Sequence, residues 1–171
     1  MNLTALVKEY AKFNHWANQR YAHWLEGLSD ELLTKEMPSS FPSLRLTFLH
    51  IWGAETIWLS RLQGVSPTVF LATTFKGSNA ELFEGFMANT ADFRNFILAQ
   101  PDEYFTGTLA YTHTSGAEYN ENTAEIILHC IQHSTFHRGQ ILTMARSLGQ
   151  TDPPATDFIG YVRQRNAQMI K

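Results

Sequence analysis

Histidines are the residues of this sequence whose number and spacing point most directly to chemistry. The 171-residue chain contains seven of them, and His129, His133 and His137 follow one another at intervals of four residues. Side chains four residues apart on a helix lie one turn apart on the same face, so each neighbouring pair can bind one metal ion. The spacing predicts a metal site on this helix, with about three protein ligands in all if the site is catalytic.

The apolar stripe of the same helix distinguishes between the two possible pairs. It consists of Ile126, Cys130, His133, His137, Ile141 and Met144, at steps of three and four. His129 is rotated toward the flank of this stripe. A buried imidazole costs roughly 1–3 kcal/mol unless it finds a partner, and a shared metal ion is such a partner. We therefore predict His133 and His137 as ligands.

The third ligand must come from another helix, and His50 is the candidate. It shares a helical face with Leu46, Ala54 and Ile57, so its imidazole is expected to point into the core. A single histidine on an apolar face is more often a hydrogen-bonded core residue than a ligand, and that interpretation stays open. The predicted set is His50, His133 and His137.

Other side chains near this pattern leave alternatives open. Cys130 and Ser134 stand where a metalloprotease helix has glutamate after its first histidine, which disfavours peptide hydrolysis of that type. Cys130 is either a soft ligand or, more simply, a small buried hydrophobe. His15 either approaches the site or is a polar residue at a helix boundary. No catalytic base is assigned, because Glu55 and Glu118 are each read more simply as solvated surface charges.

Four long helices are expected to position these histidines. The apolar periodicity covers residues 3–28, 43–64, 78–100 and 123–148. Residues 102–122 favour strands and predict a short hairpin before the fourth helix, and a short helix is expected after Pro153 and Pro154. Helices of this length predict an all-α four-helix bundle over one domain, residues 1–171.

Composition excludes several classes of function. Thirteen Lys and Arg against sixteen Asp and Glu give a net charge of −3, which argues against a nucleic-acid partner. One cysteine excludes an intrachain disulfide, and no apolar run approaches the roughly 18 residues that a membrane helix needs. We expect a cytoplasmic protein with no membrane partner.

Several short motifs, spread over the whole chain in order, resemble the DinB/YfiT-like metalloenzyme family. The most specific one is His-Ser-Thr-Phe-His-Arg-Gly-Gln, from His133 to Gln140, with His129 one turn earlier. The others are Asn14-His15-Trp16-Ala17-Asn18, Leu49-His50-Ile51-Trp52, Leu148-Gly149-Gln150, Pro153-Pro154 and Asp157-Phe158.

The resemblance implies an up-down-down-up four-helix bundle that forms a homodimer and binds one divalent transition metal. Carried over to this chain, the ligands are His50, His133 and His137, the set that the apolar stripes also favour. Zinc or nickel is the first expectation for the metal. The family includes metal-dependent S-transferases that use low-molecular-weight thiols such as bacillithiol or mycothiol.

The absence of a glutamate beside the histidine pair favours a thiol nucleophile, which needs no general base once it is bound to a metal. We therefore expect a thiol-dependent S-transferase that activates a small thiol as a metal thiolate and acts on a small-molecule substrate. The alternatives are a metal-dependent hydrolase of a small substrate and a non-catalytic metal-binding or stress-response binding module. Low charge and abundant aromatics favour a homodimer, with Trp24, Trp58 or Phe70 at its interface.

Overall fold

Eight helices and a two-stranded hairpin form residues 2–169, the part of the chain described by the computed structural model. Met1, Ile170 and Lys171, which belong to the predicted domain, lie outside the described residues. The helices are α1 (Leu3–Glu26), α2 (Asp30–Thr34), α3 (Leu44–Leu62), α4 (Leu71–Thr74), α5 (Asn79–Ala99), α6 (Asp102–Thr106), α7 (Thr123–Ser147) and α8 (Phe158–Met169). Strands β1 (Thr108–Thr112) and β2 (Glu118–Asn122) pair antiparallel between α6 and α7.

The four long helices form a bundle in which α1 and α3 lie diagonally opposite each other. Helices α5 and α7 each pack against both of them. Helices α3 and α5 run parallel, since Arg45 bonds Asn79 near their starts and Thr56 bonds Asn89 further along both. The pairs α1–α5 and α3–α7 are antiparallel, with contacts Lys8–Gln100, Asn18–Thr90, Thr47–Met144 and His50–His133. The predicted up-down-down-up bundle is confirmed.

Local sequence signals account for where the helices begin and end. Ser78 and Glu81 form the predicted capping box at the start of α5, with each side chain accepting from the backbone N–H of the other residue. Gly64 and Gly149 have φ of 83° and 82°, a left-handed conformation that terminates α3 and α7. The predicted short terminal helix begins at Phe158, after Asp157.

Residues 104–106 differ from the prediction, because they are helical rather than extended. Pro101 precedes the short helix α6, and Asp102 and Glu103 occupy its first turn, where proline and acidic residues are favoured. Phe105 is fully buried against the bundle. Burial of this ring outweighs the strand propensity of Tyr104 and Thr106.

Helix α1 has two buried faces instead of the single predicted stripe. Phe13 and Ala17 are covered by Tyr161 of α8, while Val7 and Ala11 pack into the bundle. The periodicity placed three leucines on core faces that are partly exposed in the structure. They are Leu3 and Leu6 of α1, at 43% and 37% exposure, and Leu46 of α3, at 39%. The bundle-facing stripe of α1 instead carries buried polar residues, which a search for apolar periodicity passes over.

Within residues 2–169, no helix combines the length and the apolar character needed to cross a membrane.

Candidate metal centre

Three imidazole rings from two helices meet at one point in the bundle. His133 and His137 lie one turn apart on α7, and His50 faces them from the antiparallel helix α3. His133 Nε2 is 2.9 Å from His50 Nε2 and 3.1 Å from His137 Nε2. Among the residues described, this is the group whose ligand atoms could hold a metal ion, all within 4.8 Å of one another.

Hydrogen bonds alone cannot account for both short distances between these ring nitrogens. Gln140 Oε1 lies 2.7 Å from His137 Nδ1, so the His137 proton belongs on Nδ1 and its Nε2 carries a lone pair. A single ring nitrogen, His133 Nε2, then faces two other Nε2 atoms, yet it can only donate one proton or accept one. One of the two close contacts is therefore unfavourable unless a shared cation sits among them. The donor set fits a divalent transition metal.

Burial keeps these rings in the neutral form that binds metals. Burial, with a smaller contribution from the neighbouring imidazoles, lowers the pKa of His50 to about 4 and that of His133 to about 3. The pKa of His137 is also lowered by burial, although the bond to Gln140 opposes the shift. All three are deprotonated at neutral pH, so metal binding does not have to displace protons from them.

Aromatic rings enclose His50 and restrict its orientation. Phe41, from the loop before α3, stacks on His50 with ring centroids 4.0 Å apart, and Phe70 approaches it at 5.7 Å. Gly53 permits this packing, since a Cβ there would come within 2.9 Å of the Phe70 ring. The rings exclude water from one side of the cluster.

A cavity of about 590 Å³ opens beside the histidines, between α3, α7 and the hairpin. His50 and His133 form one end of it, and Ala54, Ile57 and Trp58 continue its wall along α3. The remaining lining residues are Arg61, Phe70, Tyr111, His113, Thr114, Tyr119, Glu121, Glu125, Ile126 and His129. The volume suits a small organic molecule.

The hairpin contributes a polar contact to the wall of this cavity. Tyr111 Oη donates to Glu121 Oε2 at 2.8 Å, and burial together with this carboxylate raises the pKa of Tyr111 to about 12. Arg61 packs against the Tyr111 ring at 4.7 Å from its centroid. The cavity therefore has a charged end remote from the histidines.

Histidine and cysteine side chains outside the cluster occupy different environments. His129 is exposed and packs against Trp58 on the cavity wall. Cys130 is buried among isoleucines, and burial raises its pKa well above the ordinary value, so it is a core residue without thiolate character. His15 lies within α1, against α5, with burial lowering its pKa to about 4.

The interpretation of Glu55 as a solvated surface charge is wrong. Glu55 is fully buried and accepts from Asn14 Nδ2 at 2.8 Å, Asn18 Nδ2 at 3.2 Å and Asn89 Nδ2 at 3.2 Å. Burial raises its pKa. Glu118 is exposed and outside the cavity lining.

Arg138 balances the charge of Glu55 through two asparagines. Its Nη1 donates to Asn14 Oδ1 at 3.2 Å and to Asn18 Oδ1 at 2.5 Å, and its Nη2 donates to Thr135 Oγ1 at 2.8 Å. Burial lowers the pKa of Arg138 to about 10. The resulting polar network joins α1, α3, α5 and α7 next to His137.

Sequence reasoning missed the polar residues of the cavity wall. Arg61 follows His50, Ala54 and Ile57 at helical spacing. An arginine on this apolar stripe could have indicated that the stripe borders a polar cavity. Tyr111 and Glu121 gave no such signal, because their position depends on how the hairpin folds over α3.

Comparison with known proteins gives a consistent family assignment. A family model described as the DinB family matches residues 1–168. Protein DinB of Bacillus subtilis is 27% identical over 153 residues, covering 86% of this chain and 88% of its own length. The uncharacterized protein YizA of the same organism is 24% identical over 167 residues, covering 90% and 94%.

Two solved structures have the same fold. A DinB-like protein from Bacillus cereus superposes with a TM-score of 0.66 at 19% identity, covering 84% of this chain and 91% of its own. YfiT from Bacillus subtilis superposes with a TM-score of 0.66 at 11% identity, covering 85% and 89%. YfiT is described as a probable metal-dependent hydrolase with an unusual four-helix bundle topology.

Proposed function

Because the chain belongs to the DinB family, we propose that it is a metal-dependent enzyme whose ion is bound by His50, His133 and His137. The observation that carries this proposal is the convergence of three neutral imidazoles at one end of a cavity of about 590 Å³. Three neutral ligands leave a position open for an outside group. A divalent ion held there supplies Lewis acidity and lowers the pKa of a thiol or water that it coordinates.

The reaction we propose is transfer of a small thiol to an electrophilic substrate. The cluster of potential ligands in residues 2–169 contains no carboxylate to act as a base at the metal, which suits a nucleophile that needs none. In the transfer, a sulfur–carbon bond forms, the leaving group departs with the electron pair of its broken bond, and the thiol proton goes to solvent. Phe41 and Phe70 orient His50, and the apolar wall of the cavity holds the substrate.

The direct test measures adduct formation by the purified, metal-loaded protein with bacillithiol, mycothiol or cysteine and an aryl halide as electrophile. We expect turnover by the wild type and by His23→Ala, but not by His137→Ala. His23 is the control because it is exposed on α1 and lies outside both the cluster and the cavity lining. Equal rates in His137→Ala and the wild type would exclude the proposal.

Elemental analysis of histidine variants tests the ligands separately. Zinc or nickel is the metal that we propose, since imidazole suits both. One equivalent is expected in the wild type and in His129→Ala, with a large loss in His50→Ala, His133→Ala and His137→Ala. Unchanged metal content in the last three variants would contradict the assigned site.

Hydrolysis of a small ester or amide is the second candidate, and one carboxylate of the cavity wall favours it. Glu125 lines the cavity, lies two turns before His133 on α7 and is exposed, so it could accept a proton through water. The description of YfiT as a probable hydrolase points the same way. Product formation without any thiol would identify this activity.

A homodimer is also part of the proposal. The residues predicted at its interface, Trp24, Trp58 and Phe70, are half-buried. Exposed apolar side chains that could also meet a second copy include Phe136, at 63% exposure. Sedimentation at micromolar concentration should give twice the 19.5 kDa mass of the chain, and a monomer would count against the dimer. The cytoplasmic location stays a prediction.

A further inference from the structure

We propose that the cavity binds a substrate or co-substrate that carries an anionic oxyacid group, a carboxylate or a phosphate, and that Arg61 binds this group. The inference rests on the proposed function, because it assigns a second anchoring point in the cavity beside the histidine cluster. It names a class of ligand that the histidines alone do not specify.

Arg61 is a buried cation without a partner in the described part of the chain. It is 3% exposed, yet its guanidinium makes no side-chain hydrogen bond or ion pair with residues 2–169, and its Nε is both buried and unpaired. A guanidinium offers five N–H donors in a planar fork that matches a carboxylate or phosphate. Buried charges are normally paired, so these donors call for an acceptor from outside the chain.

Glu121, an acidic residue of the cavity wall, does not serve as that acceptor. Glu121 lines the same cavity, but its Oε2 accepts from Tyr111 Oη at 2.8 Å, and it forms no ion pair with Arg61. Burial lowers the pKa of Arg61, and the negative charge of Glu121 opposes this shift. Glu121 therefore favours the charged form of Arg61 without occupying its donors.

Two aromatic rings hold the Arg61 side chain in place. The guanidinium carbon lies 4.7 Å from the ring centroids of both Trp58 and Tyr111, within the range of cation–π attraction. These rings also line the cavity. The cation is therefore fixed before a ligand arrives, which lowers the entropic cost of binding.

The position of Arg61 defines how such a ligand would lie. Arg61 follows His50 by about three turns of α3, or roughly 16 Å between their Cα atoms, and helical side chains tilt toward the N-terminus, here toward His50. Ala54 and Ile57 form the wall between them. The ligand has an anionic group at one end, an apolar body, and its reacting group at the histidines.

The test measures binding rather than turnover, by titration calorimetry on the metal-loaded and the metal-stripped protein. The probes are 4-phenylbutyrate, its neutral amide, and 3-phenylpropyl phosphate. We expect the amide to bind the wild type at least about tenfold more weakly than the anions, as loss of one charged hydrogen bond implies. The tighter of the two anions identifies the group as carboxylate or phosphate.

Variants separate Arg61 from general effects of charge. Arg61→Gln should weaken anion binding about tenfold and change amide binding less than twofold. Arg20→Gln is the matched control, because Arg20 is an exposed arginine stacked on Trp16 outside the cavity lining. It should leave both affinities within twofold. If Arg61→Gln does not fold, Arg61→Lys should retain a weaker preference for anions, and Glu121→Gln should increase their affinity.

Three outcomes would overturn the subsite: equal binding of acid and amide to the wild type, equal losses in Arg61→Gln and Arg20→Gln, or a preference for anions that disappears when the metal is removed. The last outcome would mean that the anion binds only the metal. Anion binding through Arg61 without thiol transfer or hydrolysis would support the subsite and count against the proposed reaction. Turnover without any preference for anionic substrates would support the proposed reaction and count against the subsite.

Discussion

At the scale of single residues, the geometry around His133 Nε2 is the feature that the proposed chemistry depends on. This atom faces two other imidazole nitrogens at 2.9 Å and 3.1 Å, and one ring nitrogen cannot form a hydrogen bond with both. The His137 ring is oriented by Gln140, so the tautomer of His137 is set by a residue of its own helix, α7. A helix that presents two histidines thus also carries the residue that orients one of them.

Gln140 should accordingly tune metal affinity without being a ligand. Its Oε1 accepts from His137 Nδ1, and loss of such an orienting bond typically lowers metal affinity about 10–100-fold. We expect Gln140→Ala to weaken metal binding by that factor in a competition titration with a chromophoric chelator. Gln132→Ala, at an exposed position of the same helix, is the control and should bind like the wild type. Equal affinity in both variants would remove Gln140 from the site.

His15 should make the protein sensitive to mild acid. Burial lowers its folded-state pKa from 6.5 to about 4, with Arg94 adding to the shift. The unfolded chain therefore takes up the proton first, and the free energy of unfolding should fall as pH drops from about 6.5 toward 4. This part of the stability is fully present above pH 7.

Urea titrations at several pH values, all with chelator, would measure this effect. The loss of stability should be smaller in His15→Gln than in the wild type, while the three clustered histidines contribute equally to both. His23→Gln, exposed on the same helix, should behave like the wild type. Identical pH profiles for His15→Gln and the wild type would contradict the assignment.

At the scale of elements, two glycines in helices show what close packing requires. A Cβ on Gly85 in α5 would overlap the Trp52 ring of α3, whereas a Cβ on Gly139 in α7 would meet no atom within 4 Å. Glycine in a helix is otherwise unfavourable by roughly 0.5–1 kcal/mol relative to alanine. The two positions therefore differ in whether glycine is needed.

Substitution by alanine should change stability in opposite directions. We expect Gly85→Ala to lower the free energy of unfolding by about 1–3 kcal/mol, because the Trp52 ring must move. Gly139→Ala should raise it by about 0.5–1 kcal/mol. Urea denaturation of both variants in chelator measures this difference. A stabilising Gly85→Ala would mean that α3 and α5 separate easily at this point.

At the scale of the whole molecule, the network around Glu55 and Arg138 connects all four long helices. The two charges are not in direct contact but are joined through Asn14 and Asn18. Removing one charge leaves the other buried and unbalanced, which typically costs about 3–5 kcal/mol. The network fixes how the helix that carries His133 and His137 packs against the other three.

Arg138→Met should lower the free energy of unfolding by about 3–5 kcal/mol in the metal-free protein. Adding Glu55→Gln to this variant should recover part of the loss, because no buried charge then remains. Arg146→Met, at an exposed position of α7, should stay within about 0.5 kcal/mol of the wild type. Additive losses in the double variant would mean that the two charges do not interact.

Removal of the proposed metal should leave the bundle folded. The buried clusters contain large apolar side chains from all four long helices, so the core does not depend on the ion. An ion at about 100 times its Kd stabilises by roughly 2.7 kcal/mol, or about 5–10 °C in Tm for a chain of this size. A thermal melt with chelator should show that shift in the wild type and none in His137→Ala. Complete unfolding on chelation would instead indicate a structural metal.

Features that depend on local periodicity and on signals at helix ends could be predicted from the sequence alone. The four long helices, the capping box at Ser78 and the left-handed stop at Gly149 follow from residues close together in the chain. The expectation that His50, His133 and His137 share one site came from apolar stripes, and the structure brings these three together.

The remaining features could not be predicted, because they depend on contacts between segments that are distant in the chain. Glu55 is buried since Asn14, Asn18 and Asn89 reach it from two other helices. Arg61 faces a cavity because the hairpin folds over α3 and brings Tyr111 against it. Helical spacing shows which residues share a face, but whether that face meets solvent, another helix or a cavity depends on the packing of the whole chain.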